Sequence, residues 1–336
     1  MKYRKLGQTG LIVSELGMGG LFVSSYGAVK EDARAAIHRA LELGVNYVDT
    51  APGYLDSEEV VGYALAGVPQ PYVLSTKLGG RPKPFNPQDK DALRRSVEES
   101  LRLLKRDVID ILMIHEPDRP GQYNWFTDRD NFHGPVTELL AELKQEGLIR
   151  YTGLGGTTAY EIVPILEKGD YDVILTAFNY SLLWQEAIIE VLPAATEKGV
   201  GIIIGSPLQQ GALARRYEAE VNGQARWLSA PRREQYKQLY AFLDEIDLSL
   251  PELALRFVVS NPDISTVLMG ARSVTEVEAN VKAVEAGPLP ADLLARIQEI
   301  AAMVPFRPFE EPFNLPFHQS DRLGLGIAGK DRKPDS

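Results

Sequence analysis

Eight short apolar runs that alternate with helical patterns constrain the fold of this chain more than any other feature. The runs predict strands, and their apolar residues occupy successive positions, as expected when both strand faces are buried. The predicted strands span residues 14–18, 46–50, 72–76, 108–115, 151–154, 172–178, 200–204 and 264–269. Segments with an apolar period of about 3.6 residues follow them and predict helices. These helices cover residues 30–43, 57–66, 88–105, 135–146, 158–168, 184–198 and 273–286.

Strands that alternate with helices in this way predict an α/β fold, a (β/α)₈ TIM barrel. A β-hairpin is expected around residues 7–10, before the first barrel strand. Extra helices are predicted over residues 232–246, 251–260 and 290–303. Composition does not shift along the chain, so residues 1–336 are expected to form a single domain. Within it, residues 305–336 are expected to be a C-terminal substrate loop and tail.

Charge and cysteine content exclude several classes of function. The chain has 46 acidic and 36 basic residues, a net charge of −10 and no basic cluster, so nucleic-acid binding is not expected. The absence of cysteine excludes disulfides, thiolate metal sites and a cysteine nucleophile. The most apolar stretch, 199–208, is too short to span a bilayer, and the first residues lack a signal-peptide pattern. We expect a cytoplasmic protein without membrane partners, and the oligomeric state stays open.

Four polar side chains follow three consecutive predicted strands, close to where each strand ends. Asp49 ends the second strand and Tyr54 lies in the loop after it. Lys77 follows the third strand, and His115 ends the fourth. The active site of a (β/α)₈ barrel lies at the C-terminal ends of its strands, so these side chains are expected to converge. Each one alone has a structural explanation, such as a helix cap or core packing, but the combination favours a catalytic site.

This combination suits proton transfer to and from a carbonyl oxygen. Tyr54 would hold its proton at neutral pH, and a nearby Lys77 cation would lower the tyrosine pKa so that the group could also act as a base. Asp49 would pair with Lys77 and fix it, and His115 would hydrogen-bond the substrate oxygen. No side chain donates a hydride, so the chemistry requires a nicotinamide cofactor.

Three segments resemble the aldo-keto reductases: GVNYVDTAPGYLDSEEVVG at 44–62, STK at 75–77 and MIHEPD at 113–118. The resemblance extends from the N-terminal hairpin to about residue 303. It implies that Tyr54 is the general acid/base, that Lys77 and Asp49 tune it, and that His115 orients the carbonyl. The branch of L-galactose, L-fucose, D-threo-aldose and pyridoxal dehydrogenases is the most similar. Leu55 departs from the family, in which many members have glycine at this position.

The resemblance also implies a nicotinamide cofactor site along the rim of the barrel. The implied cofactor-binding residues are Gly19, Gly155, Gly156, Asn179, Ser206, Pro207, Leu208, Gln210, Gly270, Arg272, Glu276 and Asn280. Gly155 and Gly156 stand where family members have a Ser-Asn pair for the carboxamide, so backbone groups or Asn179 would serve instead. Gly205 stands where many members stack a tyrosine on the nicotinamide ring.

Two residues near the adenosine end point to opposite cofactors. NADPH-using members often carry an arginine at the position of Glu276, and a carboxylate there would repel a 2′-phosphate while suiting a free ribose. Arg272 would instead attract the phosphate. Glu276 also has the spacing of a capping box with Ser273, which is an equally good explanation of it. We expect NAD to be preferred, with NADP left open.

Aromatic and polar residues of the loop over 117–133 and of the tail are expected to line the substrate pocket. The predicted substrate contacts are Tyr54, His115, Trp125 and Phe309. Aromatic faces beside polar donors suit a sugar, and they equally suit an aromatic aldehyde. The expected partner is therefore a small-molecule carbonyl or sugar substrate.

Two other functions stay open on the sequence alone. A metal-dependent barrel hydrolase would draw its ligands from Asp49, His115, Glu116 and Asp118. A single rim histidine is a poor start for a zinc site, and Lys77 would place a cation beside the metal, so no metal site is predicted. A non-catalytic redox sensor that retains the cofactor is also open, as the potassium-channel β subunits of the family suggest. The complete set of four residues argues against it, and turnover would decide. The G-x-G-x-x-G match at 324–329 follows no predicted strand and is not read as a dinucleotide site.

Overall fold

A β-hairpin precedes the barrel, as the sequence predicts. Its strands β1 (Tyr3–Lys5) and β2 (Ile12–Ser14) pair antiparallel. The computed structural model describes residues 1–81, 83–120, 123–223 and 228–306. Arg4 of the hairpin donates hydrogen bonds of 2.7 Å to the carbonyls of Val259, Asn261 and Ile264. The hairpin is therefore fixed to the N-terminal end of the barrel, opposite the end where the strands finish.

Eight parallel strands close into a barrel, which confirms the predicted fold class. The strands are β3 (Leu16–Gly19), β4 (Tyr47–Asp49), β5 (Val73–Leu78), β6 (Ile109–His115), β7 (Ile149–Gly156), β8 (Val173–Ala177), β9 (Gly201–Gly205) and β10 (Thr266–Met269). Consecutive strands are neighbours, and β10 pairs with β3 to complete the ring. All carboxyl ends consequently meet on one face.

Helices surround the barrel and connect its strands. They are α1 (Lys30–Glu42), α2 (Ser57–Leu65), α3 (Lys90–Leu104), α4 (Pro135–Gln145), α5 (Ala159–Lys168), α6 (Val191–Lys198), α7 (Glu218–Asn222), α8 (Ala230–Glu245), α9 (Leu250–Val259), α10 (Val274–Glu285) and α11 (Ala291–Ala302). Among the described residues, no helix is long and apolar enough to cross a membrane.

Two apolar clusters hold the layers together. One fills the barrel interior and includes Leu6 of the hairpin, which seals its N-terminal end, with Tyr47 and Leu268. The larger one lies between the strands and the helices. Strands buried on both faces explain why their sequence reads as continuous apolar runs instead of an alternating pattern.

Two local predictions differ from the structure. The helix predicted over 184–198 is a 3₁₀ turn, Glu186–Ile188, followed by α6. Pro193 lies in the first turn of α6, where a missing N–H is tolerated; further inside a helix it would remove a hydrogen bond. The short α7 was not predicted, since five residues carry too little periodicity to be recognised.

Candidate active site

The barrel brings the four predicted catalytic residues to one place. Asp49 is the last residue of β4, Lys77 lies near the end of β5, and His115 is the last residue of β6. In the barrel sheet Asp49 pairs with Ser75 and His115 pairs with Gly155. The ends of these strands are therefore neighbours around the rim. Tyr54 comes from the loop between β4 and α2.

A buried ion pair forms the base of the site. Lys77 Nζ lies 2.6 Å from Asp49 Oδ2, and the two side chains are 1% and 3% exposed. Lys77 also donates to the Thr50 carbonyl at 2.8 Å. Ser75 Oγ donates to the second carboxylate oxygen of Asp49 at 2.7 Å. Both carboxylate oxygens are therefore occupied, which fixes the carboxylate and the ammonium against each other.

Tyr54 lies above this ion pair and beside the imidazole. Lys77 Nζ lies 5.0 Å from the centroid of the Tyr54 ring. The rings of Tyr54 and His115 meet edge to face with centroids 5.7 Å apart. The next residue, Leu55, has φ +51°, a left-handed conformation that favours glycine. Leu55 adopts this conformation with a solvent-exposed side chain.

Burial dominates the protonation state of Tyr54. Desolvation raises the pKa of Tyr54 above its ordinary value, and the Lys77 cation pulls the pKa down without cancelling that rise. The Lys77 cation thus acts in the expected direction, but the desolvation of the phenolate outweighs its attraction, so the pKa of Tyr54 is not lowered overall. Burial would lower the pKa of Lys77, but the negative charge of Asp49 outweighs it and the lysine pKa is raised. At neutral pH the site holds a phenol above an ammonium ion.

His115 is neutral at physiological pH. Burial, together with the Lys77 and Arg119 cations, lowers the pKa of His115 to about 3. Trp125 Nε1 donates to the His115 carbonyl at 3.1 Å and is 1% exposed. The structure thus places Trp125 behind the backbone of His115, and its predicted substrate contact stays a prediction. Phe309, the other predicted aromatic contact, lies outside the described residues.

A cavity of about 650 Å³ begins at Asp49 and Tyr54 and extends along the rim to α10. Its volume lies within the range of about 300–1,000 Å³ that is usual for ligand sites. Nine of the twelve predicted cofactor residues line it: Gly19, Ser206, Pro207, Leu208, Gln210, Gly270, Arg272, Glu276 and Asn280. Ser206 and Gln210 have φ of +53° and +51°, so the loop over 206–211 keeps a strained conformation along the cavity wall.

The far end of the cavity lies at the start of α10. Ser273 caps this helix by accepting the Glu276 N–H, which is half of the predicted capping box. The Glu276 carboxylate instead accepts the Arg272 N–H at 2.7 Å and the Arg272 guanidinium at 2.7 Å. Arg272 and Glu276 therefore pair with each other, and their opposite charges are balanced at this end.

Three predicted cofactor residues do not line the cavity. A Cβ at Gly155 would lie 3.5 Å from Lys77 Cε, and one at Gly156 would meet Asp118 and Ile162. Asn179 is 1% exposed and donates to Thr176 Oγ1 at 2.8 Å. Their roles toward a cofactor stay predictions.

Several residues of the cavity were missed in the sequence. Gly20 is required because a Cβ there would lie 2.5 Å from the Asp49 carbonyl oxygen. Phe22 and Leu268 also line the cavity. The rule that loops after barrel strands build the site could have identified residues 20–22, which follow β3 directly. Leu268 carries no such signal, because an inward-facing leucine in a strand is ordinary core.

The donor set fits a nicotinamide dinucleotide. The cavity has the predicted catalytic side chains at one end. At its other end lie Gly270 and the capped N-terminus of α10. A helix N-terminus favours phosphate groups. Asn280 lies on the same wall with an amide that can contact a base. In the parts of the chain that the structure describes, no group of three or more His, Asp or Glu side chains could hold a metal ion. The metal-dependent alternative therefore lacks a ligand set there.

Comparison with known proteins gives the family. The sequence model of the aldo/keto reductase family matches residues 15–302. L-galactose dehydrogenase of Arabidopsis thaliana is 33% identical over 296 residues, which cover 84% of this chain and 88% of that protein. Pyridoxal 4-dehydrogenase of Microbacterium luteolum is 30% identical over 319 residues, covering 83% of this chain and 91% of the relative. Both relatives come from the branch that the sequence resembles.

A solved structure supports the same relationship. An aldo-keto reductase from Bacillus halodurans in its holo form superposes with a TM-score of 0.74 and 33% sequence identity. The match covers 93% of this chain and 99% of that structure.

Proposed function

Since the chain belongs to the aldo/keto reductase family of oxidoreductases, which use nicotinamide cofactors, we propose that it interconverts a carbonyl and an alcohol with Tyr54 as the general acid/base. The observation that carries the proposal is the buried Lys77–Asp49 pair beneath Tyr54 at the end of the cavity. A bound nicotinamide would supply or accept the hydride.

Each side chain has one task in this proposal. In reduction, the neutral imidazole of His115 donates a hydrogen bond to the carbonyl oxygen, and Tyr54 transfers its phenolic proton to that oxygen as negative charge develops on it. Lys77 stabilises the phenolate that remains, and Asp49 holds Lys77 in place. In oxidation the Tyr54 phenolate takes the proton back from the alcohol.

We propose NAD as the preferred cofactor. Glu276 both occupies the position of an expected phosphate-binding residue and neutralises Arg272 at 2.7 Å. A 2′-phosphate would thus meet a balanced ion pair, while the carboxylate could still accept hydrogen bonds from a free ribose.

We propose a sugar or a small aldehyde as the substrate. The relatives named for L-galactose and pyridoxal support this class. The phenol and the imidazole of the site suit a polar carbonyl compound that accepts two hydrogen bonds.

The test is a screen of aldoses and small aldehydes with NAD(H) and NADP(H), in both directions, followed by nicotinamide absorbance. We expect turnover that requires Tyr54, with NAD faster than NADP. The Tyr54→Phe variant is the control for contaminating activity. Cofactor binding without turnover of any substrate would contradict the proposal and favour the redox-sensor alternative.

A further inference from the structure

The turn that follows His115 has a strained backbone. Glu116 has φ +52°, a region that residues other than glycine rarely adopt. Its N–H donates to the Gly155 carbonyl at 2.6 Å, across to the end of β7. A strained residue persists when its surroundings determine its conformation, so the contacts on both sides of Glu116 matter.

Asp118 provides the second attachment of this turn. Its carboxylate Oδ2 accepts the N–H of Thr157 at 2.7 Å and also that of Thr158. Thr158 is the N-cap of α5, and its own side chain makes no capping hydrogen bond. Asp118 therefore caps α5 from another loop, about 40 positions earlier in the chain, and a carboxylate is favourable at a helix N-terminus.

Gly156 makes room for this carboxylate. A Cβ at Gly156 would lie 2.7 Å from Asp118 Oδ2 and 2.4 Å from Ile162 Cδ1. The φ of Gly156 is not positive, so glycine is needed here for space and not for backbone freedom. The end of β7 thus contacts Asp118 at Gly156 and Lys77 at Gly155.

Burying this carboxylate is unfavourable. Asp118 is 3% exposed, and its Oδ1 has no hydrogen-bond partner among the described residues. Burial raises the pKa of Asp118 to about 6, with the Glu116 charge adding to the rise, although the two N–H groups oppose it. An uncharged acceptor of the same shape would cap α5 with less desolvation.

We propose that Asp118 is a positioning residue, which fixes the turn after β6 to the start of α5 and so holds the His115 imidazole where it meets the carbonyl oxygen. The inference rests on the proposed function. Asp118 itself is buried and does not line the cavity. Its effect reaches the reaction through the backbone of residues 115–118.

The test compares Asp118→Ala with Asp118→Asn in the full chain. Ala removes the acceptor of both N–H groups, whereas Asn keeps an acceptor oxygen. We expect Asp118→Ala to lower kcat/KM for the carbonyl substrate at least about tenfold, because sub-ångström displacement of a catalytic group is costly. The cofactor Kd, measured by protein fluorescence, stays within about twofold, and Asp118→Asn restores most of kcat/KM.

Asp89→Ala is the matched control. Asp89 also caps a helix with its carboxylate, since it accepts the Ala92 N–H at 2.9 Å at the start of α3. It is exposed, and it lies outside both the cavity and the loop over 117–133. This variant leaves kcat/KM unchanged. If Asp118→Ala does not fold, Gly156→Ala takes its place, since its methyl group displaces the carboxylate.

Two kinetic results would overturn the inference: an Asp118→Ala protein with wild-type kcat/KM and only a lower Tm, or an Asp118→Asn protein as impaired as Asp118→Ala. The NMR resonances of the His115 ring give a readout that needs no substrate. A shifted His115 resonance in Asp118→Ala, and not in Asp89→Ala, supports the inference even if no substrate turns over. An unshifted His115 resonance in Asp118→Ala contradicts the inference. Because this readout needs no turnover, failure of the inference can be distinguished from failure of the proposed function.

Discussion

The two ends of the cavity each contain an ion pair, and the two pairs have nearly equal lengths. Lys77–Asp49 measures 2.6 Å and its side chains are 1% and 3% exposed. Arg272–Glu276 measures 2.7 Å, but its side chains are 40% and 38% exposed. Breaking a buried pair leaves an uncompensated charge and costs about 3–5 kcal/mol, whereas exposed pairs contribute about 0–1 kcal/mol. The difference in burial, and not in distance, therefore determines which of the two ion pairs costs more free energy to break.

Because the two ion pairs differ in burial, we expect the two ends of the cavity to have different roles. In the proposed mechanism the buried pair fixes the groups that transfer the proton, so we expect a change of either partner to disrupt the site. The exposed pair can be rearranged at little cost in stability, so it is suited to choosing between cofactors. We expect substitutions at the two ends to act on different quantities: turnover and stability at one, cofactor preference at the other.

Lys77→Met tests the buried pair most severely. It leaves Asp49 buried without its partner, so we expect the free energy of unfolding to fall by about 3–5 kcal/mol in urea titrations. Turnover should be lost, because Tyr54 loses the cation that stabilises its phenolate. Arg272→Met is the control at the exposed pair and should cost about 1 kcal/mol or less. Equal losses in both variants would remove the distinction between the two ends.

Tyr54→Phe separates chemistry from binding at the catalytic end. We expect kcat to fall by about 10²–10⁴, because a positioned general acid is lost. Binding of the cofactor should be retained in fluorescence titrations. The matched control is Tyr160→Phe on α5, an exposed tyrosine outside the cavity. A kcat close to that of the wild type would show that Tyr54 is not the proton donor.

The pH profile tests the protonation states. Since the pKa of His115 is lowered to about 3, the imidazole stays neutral above that pH. The pKa of Tyr54 is raised, so its proton is present until the pH exceeds its ordinary value of about 10. Reduction should be flat across neutral pH and fall only in alkali, while oxidation, which needs the phenolate, should rise with pH. Asp118→Asn is the control, because a break near neutral pH that survives in it would be assigned to His115 and contradict the account.

Glu276→Arg is expected to have the smallest effect of these substitutions and to change only the preference between NAD and NADP. Replacing the carboxylate removes the partner of Arg272 and adds a cation, so the ratio of kcat/KM values should move toward NADP by about tenfold or more. Glu276→Gln should move it less. Glu278→Arg changes the same charge on α10 away from the cavity, and it should leave the ratio unchanged. If the wild type already prefers NADP, Arg272 decides the preference and Glu276 only pairs with it.

Strand order could be predicted from the sequence, whereas the effects of burial could not. The barrel follows from strand order, and so does the proximity of three predicted catalytic residues, because Asp49, Lys77 and His115 lie at the ends of consecutive strands. Tyr54 follows from its place in the loop after the strand that Asp49 ends. The direction of the Tyr54 pKa could not be obtained that way, since it depends on how deeply the fold buries the hydroxyl group. The role proposed for Asp118 could not be predicted either, because its hydrogen-bond partners, Thr157 and Thr158, lie about 40 positions later in the chain.

The spacing of Arg272 and Glu276 in the sequence already indicates that the two residues pair. Arg272 and Glu276 are four residues apart at the start of a predicted helix, a separation that brings opposite charges together. The two residues were treated as competing for the cofactor, and their mutual pairing shows that they act as one unit. Trp125 shows the opposite case, since nothing in the sequence distinguishes a ring that supports His115 from one that contacts a ligand.

Transfer of isotope from a deuterated nicotinamide cofactor to the product tests the central claim most directly. A carbonyl substrate from the screen is mixed with the wild type and with Tyr54→Phe, and deuterium in the alcohol is measured by mass spectrometry. We expect one deuterium on the carbinol carbon with the wild type, and almost none within the same time with Tyr54→Phe although the cofactor is bound. Equal labelling by both proteins, or no labelling by the wild type with any substrate, would contradict it.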